Sequence, residues 1–136
     1  MKQYFVLGLL FFISCSPKIK PVEAVKNDLS GTWQVITVNG ITVVKKDAGN
    51  EMPFLTFNAT TNTVTGTTGC NRINGNATIS LSSINFGPLA TTKMMCLNAQ
   101  YERPILQSLI GNLSYTYEQG LITISKEGRT IMTLAK

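Results

Sequence analysis

The strongest constraint on the fold is the spacing of its turn signals. Between Thr32 and Leu134, short segments that alternate apolar and polar residues recur roughly every ten positions, separated by glycine, asparagine or serine. A period of two with frequent turns specifies antiparallel strands, because successive side chains on a strand point to opposite faces. Thr32 to Val38 sets Trp33 and Val35 against Gln34. It then meets Asn39-Gly40, the two-residue signature of a type I′ turn, before Ile41 to Val44, which predicts a hairpin. Leu55 to Asn58 and Thr63 to Thr67 flank Thr60-Thr61-Asn62, and Ala77 to Leu81 and Ile84 to Phe86 flank a pair of serines. Asn74-Gly75 reads as a further turn. Near the carboxyl end, Gln119-Gly120 and Glu127-Gly128 divide Leu113 to Tyr117, Leu121 to Ser125 and Thr130 to Leu134 into a meander. Its inner face should carry Tyr115, Ile122, Ile124, Met132 and Leu134.

One stretch departs from this period. Between about Asn98 and Ile110, the residues Tyr101, Ile105, Leu106 and Leu109 recur at helical spacing, and Gly111-Asn112 ends the run. Pro104 requires either a kink or a helix that begins near Arg103. With 136 residues the chain holds one domain, and no repeat or low-complexity tract interrupts it from Asp28 onward. The expected class is α+β and mainly β: a small, incompletely closed antiparallel β-barrel, in effect a curved sheet, with one helix packed on it.

The first residues read as an address. One lysine precedes the apolar run Tyr4 to Ile13, and Ser14-Cys15 follows directly. Ten apolar residues are too few to span a bilayer, which takes about 20. Phe12-Ile13-Ser14-Cys15 resembles a bacterial lipobox, with Phe12 where leucine is usual. That resemblance makes residues 1–14 a lipoprotein signal peptide and Cys15 the lipidated amino terminus. Residues 15–27 then form the lipidated cysteine and a flexible tether, leaving 28–136 as the domain. The expected location is the cell envelope, lipid-anchored, at the outer membrane and facing the periplasm.

Composition removes several functions. The chain has no histidine, which excludes Ser-His-Asp and Cys-His pairs, histidine-ligated zinc and a histidine proton shuttle. A net charge of +5 invites a nucleic-acid reading, but from Asp28 onward eight Lys or Arg face six acids and are dispersed. No nucleic-acid partner is expected.

The order Leu29-Ser30-Gly31-Thr32-Trp33, Pro53-Phe54-Leu55-Thr56-Phe57, Thr68-Gly69-Cys70-Asn71-Arg72 and Phe86-Gly87-Pro88-Leu89-Ala90-Thr91-Thr92-Lys93-Met94-Met95-Cys96 resembles the META/HslJ family. Glu102 and Ile105-Leu106 follow in the family's helix, and the likeness runs from Leu29 to about Leu134. It implies a small α+β domain with a curved antiparallel sheet, often carried on a bacterial lipoprotein. It also implies a link to heat or envelope stress and, in some members, to antibiotic tolerance, motility or virulence. It supplies no catalytic residues.

With Cys15 lipidated, Cys70 and Cys96 are the two cysteines left in an oxidising compartment, and a disulfide is the economical reading. Two separate buried thiols, or a redox or metal role, remain open alternatives. Met94 and Met95 offer soft ligands to Cu(I), yet neighbours on a strand point to opposite faces, so no metal or cofactor is expected. Gly69, Asn71 and Arg72, joined by Lys93, form either an anion-binding nest or a tight turn with a solvated or paired arginine. Ser80, Ser82 or Ser83 beside Lys93, and pairs among Glu51, Glu102, Glu118 and Glu127, have no spacing that selects a reaction. The expected protein is therefore a non-enzymatic envelope component that binds a partner protein, a peptide or a small hydrophobic ligand. Trp33, Tyr115 and Tyr117 are its candidate wall residues, with docking onto an outer-membrane complex as the alternative.

Overall fold

The computed structural model describes residues 29–136. The expected signal peptide, Cys15 and the tether lie outside them. Among the described residues, nine strands and one α-helix follow in the order β1 (Gly31–Val38), β2 (Ile41–Thr42), β3 (Phe54–Asn58), β4 (Thr63–Thr67), β5 (Arg72–Ile79), β6 (Ser83–Thr91), α1 (Glu102–Ser108), β7 (Gly111–Glu118), β8 (Leu121–Lys126) and β9 (Arg129–Ala135), with a single 3-10 turn at Lys45–Asp47 after β2. Neighbouring strands pair antiparallel in the order β2-β1-β3-β4-β5-β6-β7-β8-β9, and β1 also pairs with β9. Eight strands thus form a closed barrel, with β2 as a short flap.

Closure corrects the expectation of an incompletely closed sheet. The physical cause is a change of partner along β1. Gly31 to Gln34 lies against Phe54 to Phe57, while Gln34 to Val38 lies against Met132 to Ala135, with the register shifting between Val35 and Thr37. A bulge of this kind bends and twists a strand, letting β1 serve both edges of the sheet. The Thr37 and Thr133 hydroxyls, 2.7 Å apart, bridge the seam. Closure leaves no long unpaired edge on β1 or β9 for another chain to add to.

The alternation sorts the barrel by polarity. Trp33, Val35, Leu55, Phe57, Ile73, Phe86, Ile122, Ile124, Met132 and Leu134 are buried inside it. Gln34, Thr65, Arg72, Asn85 and Thr116 face outward and are exposed. This is the reverse of a lipid-spanning barrel, whose outer band is apolar. Among the described residues no helix is long and apolar enough to cross a membrane.

The turns at Asn39-Gly40, Gln119-Gly120 and Glu127-Gly128 all have both residues at positive φ, as a type I′ hairpin requires. Asn74-Gly75, in contrast, lies inside β5, where Asn74 pairs with Ala90 and Gly75 with Leu89. Gly75 serves close approach here: a Cβ would sit 2.7 Å from the Pro88 carbonyl oxygen and 2.6 Å from the Leu89 side chain.

The helix begins at Glu102, so Pro104 falls in the first turn, where backbone N–H groups have no intrahelical acceptor and the ring breaks no bond. Tyr101, Ile105 and Leu109 bury against the barrel, and Leu106 is half-buried. The Tyr101 hydroxyl donates to the Thr42 carbonyl at 3.2 Å and accepts the Val44 N–H at 3.3 Å, fixing the helix start to the end of β2.

Candidate functional site

Three loops converge at one end of the barrel: the segment from Val43 to Pro53, the β4–β5 turn at Thr68 to Asn71, and the segment from Thr92 to Tyr101. Ala48 bridges Ala99 across the first and third. The turn is stitched by its own threonines. Thr68 N–H donates to the Asn71 carbonyl at 2.8 Å, Asn71 N–H to Thr68 Oγ1 at 3.0 Å, and Gly69 N–H to Thr67 Oγ1 at 3.0 Å. Gly69 is at φ +98°, and a Cβ there would collide with the Ala48 carbonyl oxygen. Its own carbonyl accepts the Asn50 and Glu51 N–H groups at 2.9 and 3.2 Å. The sequence needs glycine here both for the handedness of the turn and for the closeness of the neighbouring backbone.

Asn71 is the hub of this end. It is 1% exposed, and both ends of its amide are used. Nδ2 donates to Glu102 Oε1 at 2.8 Å and to the Met94 carbonyl at 3.2 Å. Oδ1 accepts the Thr92 hydroxyl at 2.7 Å and the Met94 N–H at 2.6 Å. One side chain thus ties the β4–β5 turn, the segment after β6 and the start of α1 into a unit. Cys70 and Cys96 form a disulfide beside it, with Cα atoms 5.8 Å apart. Asn50 Nδ2 lies 3.6 Å from Cys96 Sγ.

The other predicted positions sit around this hub. The Arg72 guanidinium pairs with Glu51 at 2.9 Å, and the Arg72 backbone N–H donates to Thr92 Oγ1 at 3.0 Å. Lys93, Met94 and Met95 are exposed, so only the Met94 backbone enters the network. Ser80 lies in the turn between β5 and β6 and Ser83 opens β6; Ser80 N–H donates to the Ser83 carbonyl, and the Ser80 carbonyl accepts the Tyr115 hydroxyl at 2.8 Å. Thr92 and Glu102, which the sequence marks only as positions of the family pattern, and Asn50, which it does not mark, complete this end. Asn71 flanked by cysteine and arginine marks a turn but carries no signal for partners 21 and 31 positions away.

The aromatic residues expected to wall a cavity instead fill the barrel. Trp33 is fully buried, and its Nε1 donates to the Leu29 carbonyl at 2.8 Å. Its ring meets Tyr117 edge-on at 5.8 Å, and the Lys136 ammonium lies 4.8 Å from its centroid. Tyr115 is buried, which pushes its phenol pKa above the ordinary value.

Open space lies outside the barrel: two clefts run along α1, and two others, lined chiefly by polar residues, border the hairpin turns at Asn39-Gly40 and Lys126 to Arg129. One cleft of about 570 Å³ runs between β6 and the helix, lined by Gly87, Pro88, Leu89, Thr91, Leu106 and Ile110 among others. A second, of about 480 Å³, shares Leu106 and Ile110 and is bordered by Ala99, Glu102, Arg103 and Gln107. Ile110, which lines both clefts, is a large apolar side chain left exposed, as are Met94, Met95 and Leu97 in the segment between β6 and α1.

Together these features define a class: a closed antiparallel barrel carrying one helix, with a cystine and a buried asparagine organising the loops at one end. The chain belongs to the META domain family, whose match covers residues 27–136. Two solved structures share the fold. One, an NMR structure, has a TM-score of 0.64 and 23% identity, covering 81% of this chain and 92% of its own. The other, an NMR structure of a protein from Burkholderia xenovorans, has a TM-score of 0.62 and 20% identity, covering 93% of this chain and 97% of its own. At these identities they speak to the fold alone. Among curated proteins none matches.

Proposed function

We propose that this protein is a non-enzymatic, lipid-anchored component of a bacterial cell envelope. Its META domain, tethered to the outer membrane through Cys15, docks a partner protein or peptide on its outer surface in the response to heat or envelope stress, or in antibiotic tolerance. The observation that carries this reading is the contrast between a barrel filled by Trp33, Phe57 and Phe86 and an exterior whose two clefts along α1 share half-buried Leu106 and 60% exposed Ile110. Apolar groups exposed along a groove favour contact with another surface. A small hydrophobic ligand would occupy the same outer clefts, because the core residues already take up the interior. Docking within an outer-membrane complex uses this face equally well.

A photo-crosslinking amino acid placed at Ile110 and, separately, at Glu127 tests the docking in intact cells. The expected outcome is a discrete adduct from Ile110 and none from Glu127. Equal or absent crosslinking at the two positions refutes a docking face at α1. Pulse-labelling with a fatty acid tests the anchor: label retained by Cys15→Ala would exclude it.

A further inference from the structure

From the geometry at the end of β6 we infer that the docking face accepts an extended peptide as an added β-strand. This inference rests on the proposed docking at α1 and specifies its partner. β7 pairs with β6 only from Ser83 to Phe86, the last pair being Phe86 with Gly111. Beyond it, Gly87 to Thr91 continues as strand with β5 alone beside it. Thr92 N–H donates to the Arg72 carbonyl of β5. Because successive residues of a strand direct their peptide groups to opposite sides, Ala90 also faces β5, and Leu89 and Thr91 face away from it. Their N–H and C=O groups point along the wall of the 570 Å³ cleft, and among the described residues no strand pairs with them.

The occupant follows from this chemistry. Four outward backbone groups at alternate positions on an extended segment are matched by another extended backbone, whereas a helix or an acyl chain brings no row of donors and acceptors. Gly87 to Thr91 offers about 17 Å at ~3.4 Å per residue, enough for a guest of four or five residues in line with β7. Leu106 and Ile110 provide an apolar floor for alternate side chains of the guest. Arg103, on the adjoining cleft, is exposed and has no ion pair among the described residues, so an acidic residue toward the helix end complements it. The partner is an extended segment of another envelope protein, with apolar residues at every second position and an acid at one end.

The test uses the full-length protein purified from membranes in detergent, with a capped hexapeptide of alternating valine and threonine ending in aspartate. A second peptide carries N-methyl groups on alternate residues, which removes donors and keeps the side chains. The expected result is at least tenfold slower amide exchange at Leu89 and Thr91 with the first peptide and at least tenfold weaker binding of the second. Thr91→Pro should weaken the first peptide similarly with an unchanged melting temperature, since that N–H faces away from β5. If Thr91→Pro fails to fold, the methylated peptide still decides. Equal binding of the two peptides, protection elsewhere, or edge amides already protected without peptide, whether by this chain or by a second copy, would overturn the inference. Crosslinking from Ile110 that survives such a result leaves docking intact and removes only the strand; loss of crosslinking at Ile110 removes the docking itself.

Discussion

At the scale of single residues, Asn71 concentrates more of the structure than any charged group near it. Its buried amide satisfies Glu102, Thr92 and both backbone groups of Met94. Asn71→Ala strands these partners, and a buried group left without its hydrogen bond costs about 1 to 3 kcal/mol. Urea unfolding should therefore show a loss of about 2 to 3 kcal/mol for Asn71→Ala. Glu102→Gln keeps an acceptor oxygen at the same place and should lose less than about 1 kcal/mol, only the charge assistance being removed. Equal losses would mean that the amide is not the hub. Tyr115 gives a second residue-scale prediction, this one in pH. Its hydroxyl donates to the Ser80 carbonyl, and burial raises its pKa by disfavouring the phenolate. The folded pKa lies above the unfolded value of about 10, so the contribution is complete below that pH and is lost as pH rises through the folded pKa. The melting temperature should exceed that of Tyr115→Phe at pH 8, with the gap closing above about pH 10. A gap that persists unchanged into that alkaline range would disprove the linkage.

At the scale of elements, the disulfide joins the β4–β5 turn to the segment that leaves β6. On the chain-entropy model, a crosslink 26 residues apart stabilises a fold by about 3 to 4 kcal/mol. Replacing both cysteines with serine should lower the unfolding free energy by that amount while the far-ultraviolet signature of the barrel persists; an unchanged unfolding midpoint would show that the Asn71 network alone holds this end. The hairpins were legible because their determinants are local: Asn39-Gly40 forces its own turn, and the alternation from Leu113 to Leu134 assigns the inner face directly. The far halves of β5 and β6 were not. Asn74-Gly75 carries a turn signal that tertiary contact overrides, since Gly75 is there to admit the Pro88 carbonyl and Leu89. Barrel closure was equally hidden, because it depends on a register shift between Val35 and Thr37 and on a strand nearly 100 residues away, as the 96-residue separation of Thr37 and Thr133 shows. The candidate site divides the same way. The two cysteines and the glycine turn could be read from the chain, whereas Glu102 as the acceptor for Asn71 depends on where α1 docks.

At the scale of the whole molecule, the filled barrel sets what kind of binding the domain can perform. Trp33 is the single tryptophan, fully buried, hydrogen-bonded to Leu29 and packed on Tyr117. Its emission therefore reports the interior and not the clefts along α1. A ligand entering the barrel would have to displace core side chains, and truncating even one of them typically costs about 2 to 5 kcal/mol, a large share of the roughly 5 to 15 kcal/mol native margin of a small domain. A ligand that stays on the α1 face leaves the indole environment untouched and still raises the melting temperature by mass action. Titrating a naphthylamine-type apolar probe into the protein separates the two cases. The expected outcome is probe fluorescence that rises on binding and falls with Leu106→Glu, while the Trp33 emission maximum stays fixed. A shift of that maximum at saturating probe would place the ligand inside the barrel and remove the physical basis for docking at the surface.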